Sequence, residues 1–294
     1  MDKHYKEVKM STGSKSILVI GGTGTQGSKV VRLLVEKGYG VRVLTRNIES
    51  DVAKDVASLG AELFAGDMDD LNSLKKAMDG AYGVYFIGIG REDPSTEINR
   101  GSNVIDASKT SNVRHIVFSG VSGGNRSIGV PHFETKGAIE EIIKNGGIDY
   151  TILRPVSFTD NFNRNRDSIK NGRLSGILSP DKNQWFIAVQ NIADFAVAAF
   201  ENPERFSGKE IDLAGDVMTL PEVAQVFSES LGIEVNYNHI PEDQRDRVPG
   251  PMKTMNEFYE REGYLVDVDR LKMDWDIPIM SVKDWILQEP GWLD

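Results

Sequence analysis

The chain has 294 residues, of which 39% are hydrophobic and 27% charged, a composition typical of a folded globular protein. Its 34 Lys and Arg residues against 44 Asp and Glu residues give a net charge of −10, which argues against direct binding to nucleic acid or to an anionic membrane surface. Cysteine is absent, which excludes disulfides, thiolate nucleophiles and thiolate-bound metals.

No segment of the chain is predicted to enter a membrane. No uninterrupted apolar run approaches the roughly 18 residues that a spanning helix needs. Residues 1–14 are polar, lack the apolar stretch of a signal peptide and are predicted to form a flexible tail before a single domain at residues 15–294. We therefore expect a cytoplasmic protein that could also reach the nucleus.

From residue 16 onward, short apolar runs alternate with amphipathic segments. Six strands are predicted, at residues 16–20, 41–45, 61–65, 84–88, 115–119 and 150–154. Apolar residues at helical spacing predict helices at 27–37, 71–78, 96–109 and 133–144. Strands that alternate with helical crossovers form parallel sheets covered on both faces. The sequence thus predicts an α/β fold with a doubly wound parallel sheet.

The pattern changes after Pro155, where a stretch rich in Asn and Arg begins. Beyond it come an apolar run at 185–189, a predicted helix at 193–201, a strand at 210–214 and a helix at 221–231, with Asn191 placed as a helix cap. Residues 240–294 are expected to be irregular structure packed on the core. We assign 15–156 and about 187–215 to the sheet part, and about 157–186 and 216–294 to a small interleaved C-terminal lobe for a substrate or partner.

A glycine-rich loop joins the first strand to the first helix. Residues 21–27 read GGTGTQG and satisfy both G-x-G-x-x-G and G-x-x-G-x-x-G. In a βαβ unit such glycines let backbone N–H groups and the helix N-terminus approach a pyrophosphate, whereas the alternative is a plain tight turn. The predicted dinucleotide contacts in this loop are Gly21, Thr23, Gly24, Thr25, Gln26 and Gly27.

The ends of the second and third strands predict which dinucleotide binds. Arg46 stands about where an NAD site offers a carboxylate to the ribose 2′-OH, and its guanidinium could instead bind a 2′-phosphate, which favours NADP(H). A solvated surface arginine is the alternative. Asp67 and Met68, after the third strand, are predicted at the adenine. A metal reading of residues 67–70 is disfavoured, because these carboxylates also suit a turn and a helix start.

The motifs GGTGTQG, LTRN, AGDMDD, FSGVSG, HFETKGAIE and ILRPVSFTDNF follow one another between about residues 16 and 200. In this order the chain resembles the NmrA-like branch of the atypical short-chain dehydrogenases/reductases. The resemblance implies a Rossmann fold, bound NADP(H), Gly88–Gly90 beside the adenosine ribose and Pro155 beside the nicotinamide. It also places Phe158, Asn161 and Phe162 on the open side of the site, where the alternative is packing of the lobe.

The catalytic position of the resemblance is altered in this chain. Typical members of the superfamily carry Tyr-x-x-x-Lys, whereas this segment reads HFETK, so that Lys136 is kept and His132 replaces the tyrosine. The resemblance implies that Lys136 binds the nicotinamide ribose. His132 either donates a proton or only lines the ligand, and either Ser119 or Ser122 would polarise a substrate unless these hydroxyls serve the loop backbone.

Relatives within this branch are either reductases or nucleotide-responsive regulators. The missing tyrosine favours a sensor, in which NADP(H) occupancy alters the affinity for a partner protein. The alternative is an NADPH-dependent reductase of a small carbonyl or enone that uses Lys136 with His132 or Ser119. An interaction module without nucleotide is disfavoured by the intact glycine loop. Because the superfamily often dimerises, a homodimer is a further expectation.

Overall fold

The computed structural model describes residues 15–88, 93–126, 128–245 and 249–293. The tail predicted at residues 1–14 lies outside the described residues, as do residues 89 and 90 of the predicted ribose contact.

The N-terminal half alternates strands and helices. In chain order it contains β1 (Ser16–Ile20), α1 (Thr25–Glu36), β2 (Gly40–Thr45), α2 (Asp51–Ser58), β3 (Glu62–Ala65), α3 (Leu71–Met78), β4 (Gly83–Ile87), α4 (Pro94–Thr110), β5 (His115–Ser119), α5 (Pro131–Lys144) and β6 (Asp149–Pro155). Every strand and helix predicted here is present, with ends within about two residues of the predicted ones. Helix α2 was not predicted.

The C-terminal half has shorter elements. It contains β7 (Ser157–Phe158), a 3₁₀ helix (Thr159–Asn165), α6 (Arg166–Lys170), β8 (Arg173–Gly176), β9 (Asn183–Ile187), α7 (Val189–Glu201), α8 (Pro203–Phe206), β10 (Lys209–Leu213), β11 (Asp216–Thr219), α9 (Leu220–Leu231), β12 (Asn236–His239), a 3₁₀ turn (Glu242–Gln244), α10 (Gly250–Arg261), α11 (Val268–Asp274) and α12 (Val282–Gln288).

Seven parallel strands form the central sheet, in the order β10-β6-β5-β4-β1-β2-β3. Helices α1 and α7 pack together in one layer, and α3, α4 and α5 pack together in another. This arrangement confirms the predicted α/β fold with a doubly wound parallel sheet. Chain connectivity reverses between β1 and β4, and open α/β sheets bind ligands at such a switch point, beyond the carboxyl ends of the strands.

Strand β1 shows why the sheet can be predicted from the sequence. Ile17 and Val19 belong to the apolar cluster that includes Leu34 and Phe195, whereas Leu18 belongs to the cluster on the opposite face. All of these side chains are fully buried. A strand buried on both faces is a continuous apolar run, which is typical of a parallel sheet.

The remaining strands form two small sheets beside the central one. Strands β11, β9 and β7 form a three-stranded sheet, and β12 pairs with β8. They belong to the lobe, whose core contains Phe186 of β9, Phe227 of α9, Trp285 of α12 and Trp292, which follows α12.

Two predictions for this half were wrong. Asn191 does not cap a helix, because α7 begins two residues earlier, where the Asp160 carboxylate accepts a hydrogen bond from Val189 N at 2.9 Å. Instead the Asn191 side chain binds Pro278 O and Met280 N, each at 2.8 Å. Residues 240–294 are also not irregular, since they contain α10, α11 and α12. Prolines in this region suggested breaks, but proline is compatible with the first turn of a helix, where α10 has it.

Candidate functional site

The glycine-rich loop lies at the switch point of the sheet. Gly21 has φ +85°, a conformation that favours glycine, and Gly24 N donates to Gly21 O at 3.0 Å. A Cβ on Gly27 would lie 2.6 Å from Gly21 C and 2.8 Å from Gly22 Cα, so α1 packs against the loop more closely than a side chain would permit. A Cβ on Gly24 would meet no protein atom nearer than 3.4 Å.

The start of α1 therefore fits a pyrophosphate. No side chain caps this helix at Gly24, so its first N–H groups remain for an anion, and the helix dipole favours negative charge there. Cavities extend to either side of the loop, as a dinucleotide with two nucleoside halves requires.

The smaller space, here called the β2–β3 cavity, has a volume of about 270 Å³. It is lined by Ile20, Gly21, Thr23, Leu44, Thr45, Arg46, Asn47, Gly66, Asp67, Met68 and Arg100. The predicted 2′-phosphate and adenine residues are thus brought to one cavity.

The charged groups of the β2–β3 cavity are held in pairs. The Arg46 side chain is 77% exposed, and its Nε lies 3.9 Å from Asp67 Oδ2. The backbone of Asp67 is fixed by Ser73 Oγ, which donates to Asp67 O at 3.0 Å and accepts from Asp67 N at 3.1 Å. Arg100 on α4 binds both carboxylate oxygens of Asp69, at 2.9 and 2.6 Å. Arg100 was not predicted at this cavity, because it reaches Asp69 from a helix about 30 residues further along the chain.

The larger space, here called the inter-lobe cleft, has a volume of about 680 Å³. Its lining is Thr25, Gln26, Ile87, Gly88, Gly120, Val121, His132, Phe133, Lys136, Pro155, Val156, Ser157, Phe158, Asp160, Asn161, Asn163, Arg164, Met255, Tyr259 and Tyr264. It contains the predicted residues Thr25, Gln26, Gly88, His132, Lys136, Pro155, Phe158 and Asn161.

Lys136 and His132 lie on the α5 side of the inter-lobe cleft. Both Lys136 and Glu97 are nearly excluded from water, and Lys136 Nζ forms a hydrogen-bonded ion pair with Glu97 Oε1. Burial lowers the pKa of Lys136, and the Glu97 carboxylate acts in the opposite direction. Burial and the charge of Lys136 both lower the pKa of His132, so its imidazole is neutral at neutral pH.

The two predicted serines lie behind the wall of the cleft. Ser119 is buried, and its Oγ accepts a hydrogen bond from Gln26 Nε2 at 2.6 Å, while the same amide donates to Tyr85 Oη at 2.5 Å. Ser122 is also buried, and its backbone N–H donates to Pro155 O at 3.0 Å. The Gln26–Ser119 bond fixes the end of β5 against the start of α1, and the Ser122–Pro155 bond holds the loop after β5 against the end of β6.

The lobe supplies the opposite wall. Phe158 and Asn161 line the cleft, whereas the ring of Phe162 packs 5.4 Å from that of Phe227 and 6.3 Å from that of Trp285, in the core of the lobe.

Three lining residues that the sequence analysis missed are Met255, Tyr259 and Tyr264. Tyr259 Oη lies 2.6 Å from Ser157 Oγ, and Tyr264 stacks on Phe133 with centroids 6.0 Å apart. Burial raises the pKa of Tyr259. The helical spacing of the apolar residues at 252, 255 and 259 could have indicated α10, but not the cleft that it lines.

Metal clusters and membrane-spanning helices are both absent from the described ranges. No cluster of three His, Asp or Glu residues there could hold a metal ion. In the same part of the chain, no helix combines the length and apolarity that crossing a membrane requires.

Comparison with known proteins gives consistent matches. Residues 13–288 match the model of the NmrA-like family. An NmrA-like family domain-containing oxidoreductase of Malbranchea aurantiaca is 29% identical over 260 residues, which are 78% of this chain and 76% of that protein. The fold is similar to Citrobacter sp. triphenylmethane reductase complexed with NADP(H), with TM-score 0.79 and 25% identity over 93% of this chain and 99% of that one.

A second solved structure shares the fold alone. It is NmrA, a negative transcriptional regulator in complex with NADP, with TM-score 0.75 and 17% identity over 93% of this chain and 94% of that one.

Proposed function

Because the chain belongs to the NmrA-like family, we propose that it binds NADP(H) across the glycine loop and reduces a small carbonyl or enone compound in the inter-lobe cleft. The observation that carries this proposal is the cleft itself. Its volume of about 680 Å³ is typical of a small-molecule site, and it joins the glycine loop to Lys136 and to aromatic side chains of the lobe. The nicotinamide half of the nucleotide needs part of this cleft in a sensor and a reductase alike, and the aromatic wall beyond it, with Phe158, Tyr259 and Tyr264, supports a second, apolar molecule.

Two observations support NADP(H) over NAD(H). The residue after β2 is Arg46, whose exposed guanidinium borders the β2–β3 cavity, and no carboxylate stands in that position to repel a 2′-phosphate. The ion pair with Asp67 steadies the guanidinium only weakly, because it is long and exposed. The similar triphenylmethane reductase is complexed with NADP(H).

When bound, the nucleotide supplies a hydride, and the chain's own residues orient the reactants and handle the proton. We assign the Lys136 ammonium to the ribose hydroxyls. Lys136 lines the cleft beside Gly88, at the end of β4, and β4 is the sheet neighbour of β1, which carries the glycine loop. Neutral His132 can donate a hydrogen bond to a carbonyl oxygen. Hydride addition to the carbonyl carbon together with a proton on its oxygen gives the alcohol.

Tyr259 is the second proton donor that we propose. Gln184 Nε2 donates to Ser157 Oγ at 3.1 Å, so Ser157 is free to donate its own proton to Tyr259 Oη. The phenolic proton of Tyr259 is then available to a substrate, and water returns it after the reaction.

A nucleotide-responsive regulator is the second candidate function. Position 132 holds a neutral histidine instead of tyrosine, and the nearby Ser119 hydroxyl is buried and already bonded to Gln26. With weaker acid catalysis, binding could serve only to change a partner's affinity. The fold of the NmrA regulator is consistent with this alternative.

The test begins with calorimetric titration of the ligand-free protein with NADP⁺, NADPH, NAD⁺ and NADH. The NADPH absorbance is then followed with a panel of carbonyls, enones, quinones and a triphenylmethane dye, using the wild type, Lys136→Met and Tyr259→Phe. The reductase is supported if the wild type consumes NADPH and both variants consume it more slowly. Lys136→Met should also bind NADPH more weakly than the wild type. Tight binding without consumption of any compound would favour the regulator, and absence of binding would refute both.

A further inference from the structure

Lys136 and Glu97 form an ion pair that α4 and α5 bring together at the wall of the inter-lobe cleft. Their side chains are 7% and 5% exposed, and Lys136 Nζ donates to Glu97 Oε1. Gly88, at the end of β4, lies directly against both groups. A Cβ there would be 2.5 Å from Glu97 Oε1 and 2.7 Å from Lys136 Cδ. The location of the ammonium is therefore set by contacts on two sides.

The partners of Lys136 determine whether it stays charged in this position. Burial favours the neutral amine, and the Glu97 carboxylate favours the ammonium. The other titratable groups that line the same cleft are His132 of α5, Asp160 and Arg164 of the segment after β7, and Tyr259 and Tyr264 of the lobe. On the side away from the cleft, Arg100 of α4 lines a small cavity together with Glu97 and Gly88. Only Glu97, among the described residues, is hydrogen-bonded to Nζ.

A second buried ion pair, one turn further along α5, offers a structural comparison. Glu140 accepts hydrogen bonds from Arg154 Nε at 3.0 Å and from Arg154 Nη2 at 2.6 Å. Neither residue lines the cleft. This pair fastens α5 to β6, whereas Lys136, the cation of the other pair, lines the space where a ligand would bind, with Glu97 behind it. Substitution of Glu140 therefore tests the effect of losing a buried ion pair on α5 that is not part of the proposed binding site.

We propose that Glu97 is a positioning residue for Lys136, which fixes the ammonium at the cleft wall and keeps it protonated so that nucleotide binding persists into alkaline solution. This inference rests on the proposed nucleotide site, but it holds for a reductase and for a regulator alike. Without the carboxylate, the buried amine loses its proton at lower pH, and its hydrogen bonds to the ribose hydroxyls lose their charge.

The test measures the dissociation constant of NADPH between pH 6 and pH 10 for the wild type and for Glu97→Gln, Lys136→Met, Lys136→Arg and Glu140→Gln. Each affinity is divided by the wild-type value at the same pH, which removes the titration of the nucleotide itself. We expect Glu97→Gln to bind nearly as the wild type at pH 6 and about tenfold more weakly in alkaline solution, the loss expected for one charge-assisted hydrogen bond. Glu140→Gln should give a ratio that does not change with pH.

Two further variants keep the result interpretable. Arginine stays protonated throughout this range. The NADPH affinity of the double variant Glu97→Gln with Lys136→Arg, divided by that of Lys136→Arg alone, should therefore not change with pH. Adding Glu97→Gln to Lys136→Met should cause no further loss of NADPH affinity. If Glu97→Gln fails to fold, Glu97→Asp keeps the charge and should give a smaller shift of the same sign.

The possible outcomes separate this inference from the proposed function. A flat ratio for Glu97→Gln, or the same pH-dependent loss in the Lys136→Met background, would overturn the role of Glu97. If the wild type binds no nucleotide at any pH, the proposed site itself is wrong.

Discussion

Substitution of Gly27 by alanine should destabilise the fold and weaken nucleotide binding. The new Cβ would lie 2.6 Å from Gly21 C and 2.8 Å from Gly22 Cα, whereas Cβ contacts below 3.0 Å are essentially absent from proteins. Relief requires α1 to move by about 1 Å, and overpacking of this kind costs about 1–3 kcal/mol. At about 2–4 °C per kcal/mol for a chain of this size, the Tm should fall by several degrees.

Gly24→Ala is the matched control, because it alters the same loop without a steric clash. Gly24 has φ −89° and ψ 169°, which alanine adopts freely, and its Cβ would come no nearer than 3.4 Å to Gly21 O. The free energy of unfolding should be unchanged or higher by about 0.4–1 kcal/mol. NADPH affinity should nevertheless fall about tenfold or more, because the methyl group adds bulk to the loop that is proposed to lie against the pyrophosphate.

Thermal denaturation followed by circular dichroism, together with NADPH titration, distinguishes the two effects. A wild-type Tm for Gly27→Ala would refute the close packing of α1 on the loop. Wild-type affinity in Gly24→Ala would instead show that the pyrophosphate does not lie against this residue.

Three other substitutions test separate parts of the structure. Arg46→Asp should weaken NADPH binding and improve NADH binding, and titrations that show equal affinities before and after would remove the 2′-phosphate assignment. Phe162→Ala should destabilise the lobe by about 2 kcal/mol or more in urea unfolding without changing NADPH affinity, and a large affinity loss would place this ring in the site. Burial lowers the pKa of His115 from 6.5 to about 4, so the unfolded chain takes up a proton between these values that the folded chain does not. The unfolding free energy should be highest above pH 6.5 and fall by about 3 kcal/mol on going to pH 4; His115→Gln should abolish that part of the slope.

The central sheet could be predicted because its sequence signal is local. Strands β1 and β5 were predicted with their observed ends, since each has a short run of buried apolar residues at its centre. Helix α2 was missed although Ser50 caps it by accepting from Ala53 N, because it has only eight residues and buries only Ala53 and Val56.

The lobe was harder to predict because its pairings are distant in the chain. Strand β7 has two residues and pairs with β9, while β8 pairs with β12 about 60 residues later. Strands this short carry no alternation that could be recognised.

The same contrast applies to the candidate site. The glycine loop and Arg46 are contiguous with their strands, so the roles proposed for them could be predicted from motif and position. Glu97 and Tyr259 acquire theirs only through packing of α4 on α5 and of α10 across the cleft, and a single sequence does not encode such distances as a pattern.

The position of β10 at the edge of the sheet has a consequence for synthesis of the chain. β10 pairs with β6, yet more than 50 residues separate Pro155 from Lys209. While the nascent chain ends before β10, the outer edge of β6 exposes unpaired backbone groups, and Arg154 lacks its ion pair with Glu210. An unpaired edge strand is prone to join other chains. The sheet is therefore completed only late in translation, and slow elongation between these two strands should favour aggregation.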